Sequence, residues 1–215
     1  MAATVRKLEK TRHYADARAV ASMLQPEEPV FCYSAEQLKA KANAFLKGFP
    51  GTVSYAVKSN PAPAVLGTLA RAGLQHWDVA SVHEMAAVRA HSAKARFHYH
   101  NPVKSRREIA DAYHVYGCRR FAVDCREELQ KIADVVGGDR KIEIAVRFVL
   151  PRERTSSAHD FSTKFGAPEH IAAELLRDAK ARGFIRPRFA GLLRFASSIE
   201  TLLATLERAP PADPR

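Results

Sequence analysis

The sequence predicts an α/β protein built on a parallel sheet, and three observations lead there. From residue 53 onward, short apolar or β-branched runs alternate with stretches of helical periodicity, which is the pattern of repeated βα units. The early runs recur at nearly constant spacing, and the segments between them carry helix-opening and helix-closing residues. Two architectures meet this description: a (β/α)8 barrel of the TIM type left incomplete at about six βα units, and an open doubly wound sheet. A GxGxxG fingerprint would favour the open sheet, and the chain contains none.

Taken in order, residues 1–28 read as a polar lead-in, PVFCYS (29–34) as a strand and AEQLKAKANAFLKGF as a helix. The strands of the array are VSYAVKS (53–59), HWDVAS (76–81), ARFHYHN (95–101), RRFAVDC (119–125), KIEIAVRFVL (141–150) and RFAGLLRF (188–195). After the first of these, Pro63 suits an opening turn and Gly73 a C-terminal cap, with Val65, Leu66, Leu69 and Ala70 on one face. After the fourth, Asp124 and Glu127 have capping-box spacing, and Leu129, Ile132, Ala133 and Val136 follow the i, i+3, i+4, i+7 rule before Gly137-Gly138 stops the helix. Ile171, Leu175 and Ala179 mark a further core-facing helix. The domain division expected is 1–28, 29–196 and a divergent tail over 197–215.

Composition narrows the function classes. The 215 residues are 47% apolar, enough for a core, so wholesale disorder is excluded. The net charge of +11 raises nucleic acid as a partner. The basic residues are nevertheless scattered among acids and apolar positions in stretches such as KSRREIADAY, so a solvated surface and no nucleic-acid partner are expected. No window approaches the roughly eighteen apolar residues of a membrane span, and no secretory h-region follows the first basic residues. A cytoplasmic setting without membrane contact is the expectation. Cys32, Cys118 and Cys125 form no CxxC or metal-ligand spacing and read as reduced packing thiols; no metal is expected.

The chemistry centres on YAVKSNP (55–61), where Lys58 follows an apolar strand at the place where βα loops of such folds build active sites. An amine held there and partly desolvated can act as a nucleophile toward an aldehyde cofactor. An arbitrary strand-end lysine is more simply a surface cation with its stem laid on the protein, so the surrounding strings have to decide.

Those strings are YAVKSNP (55–61), WDVASVHE (77–84), HNPVKS (100–105), FAVDCREEL (121–129), AVRF (145–148) and TKFG (163–166). In this order they resemble the pyridoxal-phosphate-dependent decarboxylases of the alanine-racemase-like fold type, which act on ornithine, lysine, arginine or diaminopimelate. The resemblance runs from about residue 29 to residue 192 and implies the barrel and pyridoxal 5'-phosphate as cofactor. It implies that Lys58 forms the Schiff base and that Ala56, two residues back, lies against the cofactor ring. Asp78 and Glu84 match acidic residues that line the cofactor pocket, although Asp78 and Ser81 also suit helix capping. Arg147 matches an arginine that approaches the cofactor. Asn101 and Lys104 match an NPxK string, for which turn formation is the competing reading, and Lys164 matches a residue near the family's dimer interface.

The activity implied is decarboxylation of a small-molecule basic amino acid, in the manner of polyamine biosynthesis, by a homodimeric family. The chain departs from that family after FAGL (189–192), where a strand carrying a histidine is expected and LRFASSIETLLATLERAPPADPR stands instead. The expected Gly-rich phosphate loop, the pyridinium-binding acid and the C-terminal β domain have no counterpart in the sequence given. A shifted reading frame or early stop, with activity impaired or lost, and a genuine short form both account for this ending. Two alternatives to the enzyme reading are a single-domain pyridoxal-phosphate carrier and a non-catalytic partner of a complete decarboxylase.

Overall fold

The structure is a computed structural model that describes residues 12–149 and 165–185. The chain divides into two compact units, residues 1–35 and 36–215. The first contains helix α1 (Ala17–Leu24), where a polar lead-in was expected. Asp16 caps it, its Oδ1 accepting from the Ala19 N–H at 2.8 Å, and Gln25 ends it at φ 44°. No residue of α1 is buried.

The strand expected over 29–34 is not formed. Val30, Phe31 and Tyr33 are exposed, and no described strand pairs with them. A β-prone run becomes a strand only when another edge takes up its N–H and C=O groups, and sequence alone does not supply that edge.

The second unit opens with α2 (Ala35–Gly48) and continues as a βα array: β1 (Ser54–Ala56), α3 (Pro63–Arg71), β2 (His76–Val79), α4 (Val82–Arg89), β3 (Arg96–Tyr99), α5 (Arg106–Ala110, prolonged by a wider turn to Val115), β4 (Arg120–Val123), α6 (Arg126–Val136), β5 (Glu143–Val146) and α7 (Glu169–Ala181). All four strand pairs are parallel, and the spatial order is β1-β2-β3-β4-β5. Order in space follows order in the chain without reversal. A doubly wound sheet reverses at a switch point, so the array is the beginning of a (β/α)8 barrel. The run at 188–195, Lys164 and the tail over 197–215 lie outside the described residues.

The strands occupy only the centres of the predicted runs, and each helix begins where its sequence allows. Pro63 sits at the first helical position of α3, and Gly73, at φ 96°, closes it. Ser105 and Glu108 form a reciprocal capping box on α5. The box expected from Asp124 does not form: Cys125 is the N-cap of α6 and makes no side-chain cap bond, while Asp124 Oδ2 instead accepts from the Gly166 N–H at 3.1 Å. Tertiary demand for that carboxylate outweighs the local motif.

The two sheet faces differ as a period of two requires. Trp77, Val79, Phe97, Tyr99, Phe121 and Val123 are buried in one core with Leu66, Leu69, Met85, Val88, Ile109, Leu129 and Ile132 from the helices. Their alternates Ala56, Asp78, His98, Arg120 and Glu143 stand side by side across the register of the other, concave face. Among the described residues no helix is long and apolar enough to cross a membrane.

Candidate active site at the strand ends

Each strand ends at nearly the same level, and the turns that follow converge. β1 runs into a single 3-10 turn, Val57–Ser59, in which Val57 is buried and anchors the turn while Lys58 is exposed. The turn is held from beyond by the Tyr55 hydroxyl, which donates to the Asn60 carbonyl at 3.3 Å. Lys58 lines a cavity of about 710 Å³ together with Asp78, Val79, Ala80, His100, Asn101, Pro102, Ala122, Ala145, Val146, Arg147 and Phe165. Lys58 is therefore at a cavity wall and exposed, not partly desolvated.

Asp78, on β2, is half-buried and meets Nδ1 of His100 at 3.3 Å through Oδ1. It does not cap α4. That role belongs to Ser81, whose Oγ accepts from the Glu84 N–H at 3.2 Å, while Glu84 Oε2 accepts from the Ala80 N–H at 2.8 Å. Glu84 is thus turned to the backbone at the start of its own helix and does not line the cavity, although the Ala80 it holds does. Ala56 pairs with Asp78 in the sheet and also lies outside the lining.

Arg147 follows β5. Its N–H donates to the Val123 carbonyl at 2.8 Å and its C=O accepts from the Ala167 N–H at 2.9 Å, so two segments fix its backbone. The guanidinium is exposed and lies 5.4 Å from the centroid of the Phe165 ring, near enough for a cation–π contact.

Below the cavity the concave face is polar. His76 Nδ1 is 2.8 Å from His98 Nε2, the His98 and His100 rings meet edge to face at 5.7 Å, and Arg120 approaches both ring nitrogens of His98 at 3.4 and 3.5 Å. Arg120 is ion-paired in turn with Glu143. Burial, the Arg120 guanidinium and the neighbouring imidazoles push His98 down to about 3, and Asp78 opposes them weakly; His76 is lowered by burial, Arg120 and Arg96.

Lys58, Asp78, Asn101 and Arg147, drawn from four strand ends, are brought to one cavity. Lys104 stands behind it, buried. His100 and Phe165 were missed. The signal for His100 lies in FHYHN, where two histidines two positions apart on a strand share a face, whereas nothing in the strings singles out Ala80, Ala122 and Ala145, the small residues that leave room.

Residues 35–185 match the family model described as pyridoxal-dependent decarboxylase, pyridoxal binding domain. The chain belongs to this family. Its residues are 39% identical over 133 positions to a lysine/ornithine decarboxylase of Selenomonas ruminantium, covering 61% of this chain and 32% of that protein. They are 30% identical over 195 positions to a diaminopimelate decarboxylase of Zymomonas mobilis, covering 84% and 45%. Among solved structures, a lysine decarboxylase from Selenomonas ruminantium matches with a TM-score of 0.62 at 28% identity, over 80% of this chain and 44% of that one. The chain thus spans less than half the length of these relatives.

The cofactor of a pyridoxal-binding domain is an aldehyde bearing a phosphate and a basic ring, and the donor set suits it. The cavity offers one primary amine for the aldehyde, a second cation in Arg147 and a carboxylate in Asp78, all lining the same space. Among the described lining residues, two cations against one carboxylate favour an anionic ligand.

Proposed function

We propose that this chain forms the cofactor-binding part of a decarboxylase for a basic amino acid, of the lysine, ornithine or diaminopimelate type, with Lys58 as the amine that engages the cofactor. The observation that carries the reading is the convergence of Lys58, Asp78 and Arg147 on one cavity from three separate strand ends. The convergence lies where barrels of this class build their sites. The substrate class rests on the lysine/ornithine and diaminopimelate decarboxylases to which the chain is similar.

Pyridoxal phosphate, when bound, supplies an aldehyde for amines and a protonated ring that accepts the electron pair left when a carboxylate departs as CO2. The residues of this chain do the rest. Lys58 presents its amine from a short, anchored turn and would be the residue that holds the cofactor's aldehyde. Arg147, braced on Phe165, contributes fixed positive charge toward anionic groups of cofactor or substrate. Asp78, steadied by His100, offers a carboxylate at the cavity wall. Ala80, Ala122 and Ala145 leave space, and Ala56 and Glu84 act one step back: Ala56 beside Asp78 in the sheet, Glu84 through the Ala80 N–H.

The test is covalent capture. The full chain is incubated with pyridoxal phosphate and reduced with borohydride, and the label is mapped by peptide mass. Label on Lys58, lost in Lys58→Ala, supports the reading; equal labelling of surface lysines, unchanged by the substitution, removes it.

A further inference from the structure

We propose that Lys104 is a positioning residue: its buried ammonium clamps the turn after β3 to the end of β4 and thereby fixes the Asn101, Pro102 and Ala122 wall of the cavity. Its consequence for ligand binding rests on the function proposed above.

The side chain of Lys104 has no exposed surface. Its Nζ donates to the Asn101 carbonyl at 2.8 Å and to the Ala122 carbonyl at 2.7 Å, and it lies 3.1 Å from Glu128 Oε1. Two of the ammonium's three protons go to these carbonyls, and Glu128 Oε1 meets the charge as an ion pair without a hydrogen bond of its own. The Tyr99 ring centroid is 5.4 Å away on another side. Glu128, itself buried on α6, is also ion-paired with Lys131, and the Lys131 ammonium donates to the Lys104 carbonyl at 2.6 Å. The circuit closes on itself: ammonium to carboxylate, carboxylate to second ammonium, second ammonium back to the first residue's backbone.

Such an arrangement is a poor route to stability. Removing two charges from water is costly, and apolar residues of like volume often hold a fold as well or better. What an apolar pair could not do is join two carbonyls from separate segments. Asn101 and Ala122 both line the cavity, and Asn101 extends the connection, its Nδ2 donating to the Ala80 carbonyl at 3.4 Å and its Oδ1 accepting from the Val103 N–H at 3.3 Å. Lys104 and Asn101 together therefore tie the ends of β2, β3 and β4, all of which contribute to the same wall.

The experiment uses the full chain and pyridoxal phosphate as probe, and compares native protein with Lys104→Met/Glu128→Met, which removes both buried charges at once. The expected result is a melting temperature near or above that of the native chain with pyridoxal phosphate bound roughly tenfold or more weakly, because a displaced wall misplaces what it carries. Native affinity in a double variant of native stability would overturn the proposal, since a purely structural pair would behave that way. Should the variant fail to fold, or the native chain not bind the probe, amide hydrogen exchange on the native chain decides. Slow exchange through residues 101–104, in step with β4, supports the clamp; a turn that exchanges freely while β4 stays protected overturns it. Unchanged labelling in Lys58→Ala would remove the function and leave the exchange result standing.

Discussion

His76 Nδ1 lies 2.8 Å from His98 Nε2, so the two imidazoles share a single hydrogen bond and at least one nitrogen of the pair must stay unprotonated. With Arg120, Arg96 and His100 also facing this pair and, among the described residues, Asp78 opposing, the folded protein favours the neutral form of both rings. The sign follows directly. The unfolded chain takes up protons below the ordinary imidazole value of 6.5, while folded His98 resists them down to about 3. Stability is therefore complete above 6.5 and is lost as pH falls through that window, at no more than about 1.4 kcal/mol per pH unit for this ring. Denaturant midpoints measured across the window would show the decline, and His98→Gln would flatten it; a native curve without slope there would contradict the assignment.

The cap of α4 gives a second expectation. Ser81→Ala removes the acceptor for the Glu84 N–H and is expected to cost about 1 kcal/mol. Glu84→Gln keeps an oxygen for the Ala80 N–H and should melt close to the native chain, whereas Glu84→Ala should not. Equal melting of both Glu84 variants, followed by circular dichroism, would show that the bond carries no weight.

Trp77 is fully buried, and its indole N–H has no partner among the described residues. Trp77→Ala leaves a large void and should cost about 3–5 kcal/mol. Trp77→Phe gives up area but also removes that orphaned donor, so its cost should stay under about 1.5 kcal/mol. Chemical denaturation of the two variants separates packing from polarity at this position.

The same contrast explains what the sequence made legible. Elements whose signals are local were readable: Pro63 and Gly73 bracket α3, the 3.6-residue period of Leu129, Ile132 and Val136 marks α6, and alternation in HWDV and RFHY marks strands with one apolar face. Signals that depend on a distant partner were not. Asp124 has the spacing of a cap but serves Gly166, and the run at 29–34 has β propensity but joins no edge of the described sheet. For the site, Lys58, Asp78 and Arg147 carried their own strings, while His100 acquires meaning only when β2 and β3 pair and bring Asp78 beside it.

That last pair supplies the final prediction. Asp78 and His100 are each more than a third exposed, and a pair so placed contributes about 0–1 kcal/mol to stability. Asp78→Asn keeps the shape and an acceptor oxygen for the imidazole, so its melting temperature should match the native value within error. What it removes is the one carboxylate among the described residues of a cavity that also holds Lys58 and Arg147. With that carboxylate orienting the bound cofactor, borohydride-trapped label at Lys58 should fall several-fold at a fixed pyridoxal phosphate concentration, while inorganic phosphate should compete more strongly as the cavity becomes more positive. Unchanged labelling with unchanged phosphate competition would mean that Asp78 serves only to hold His100.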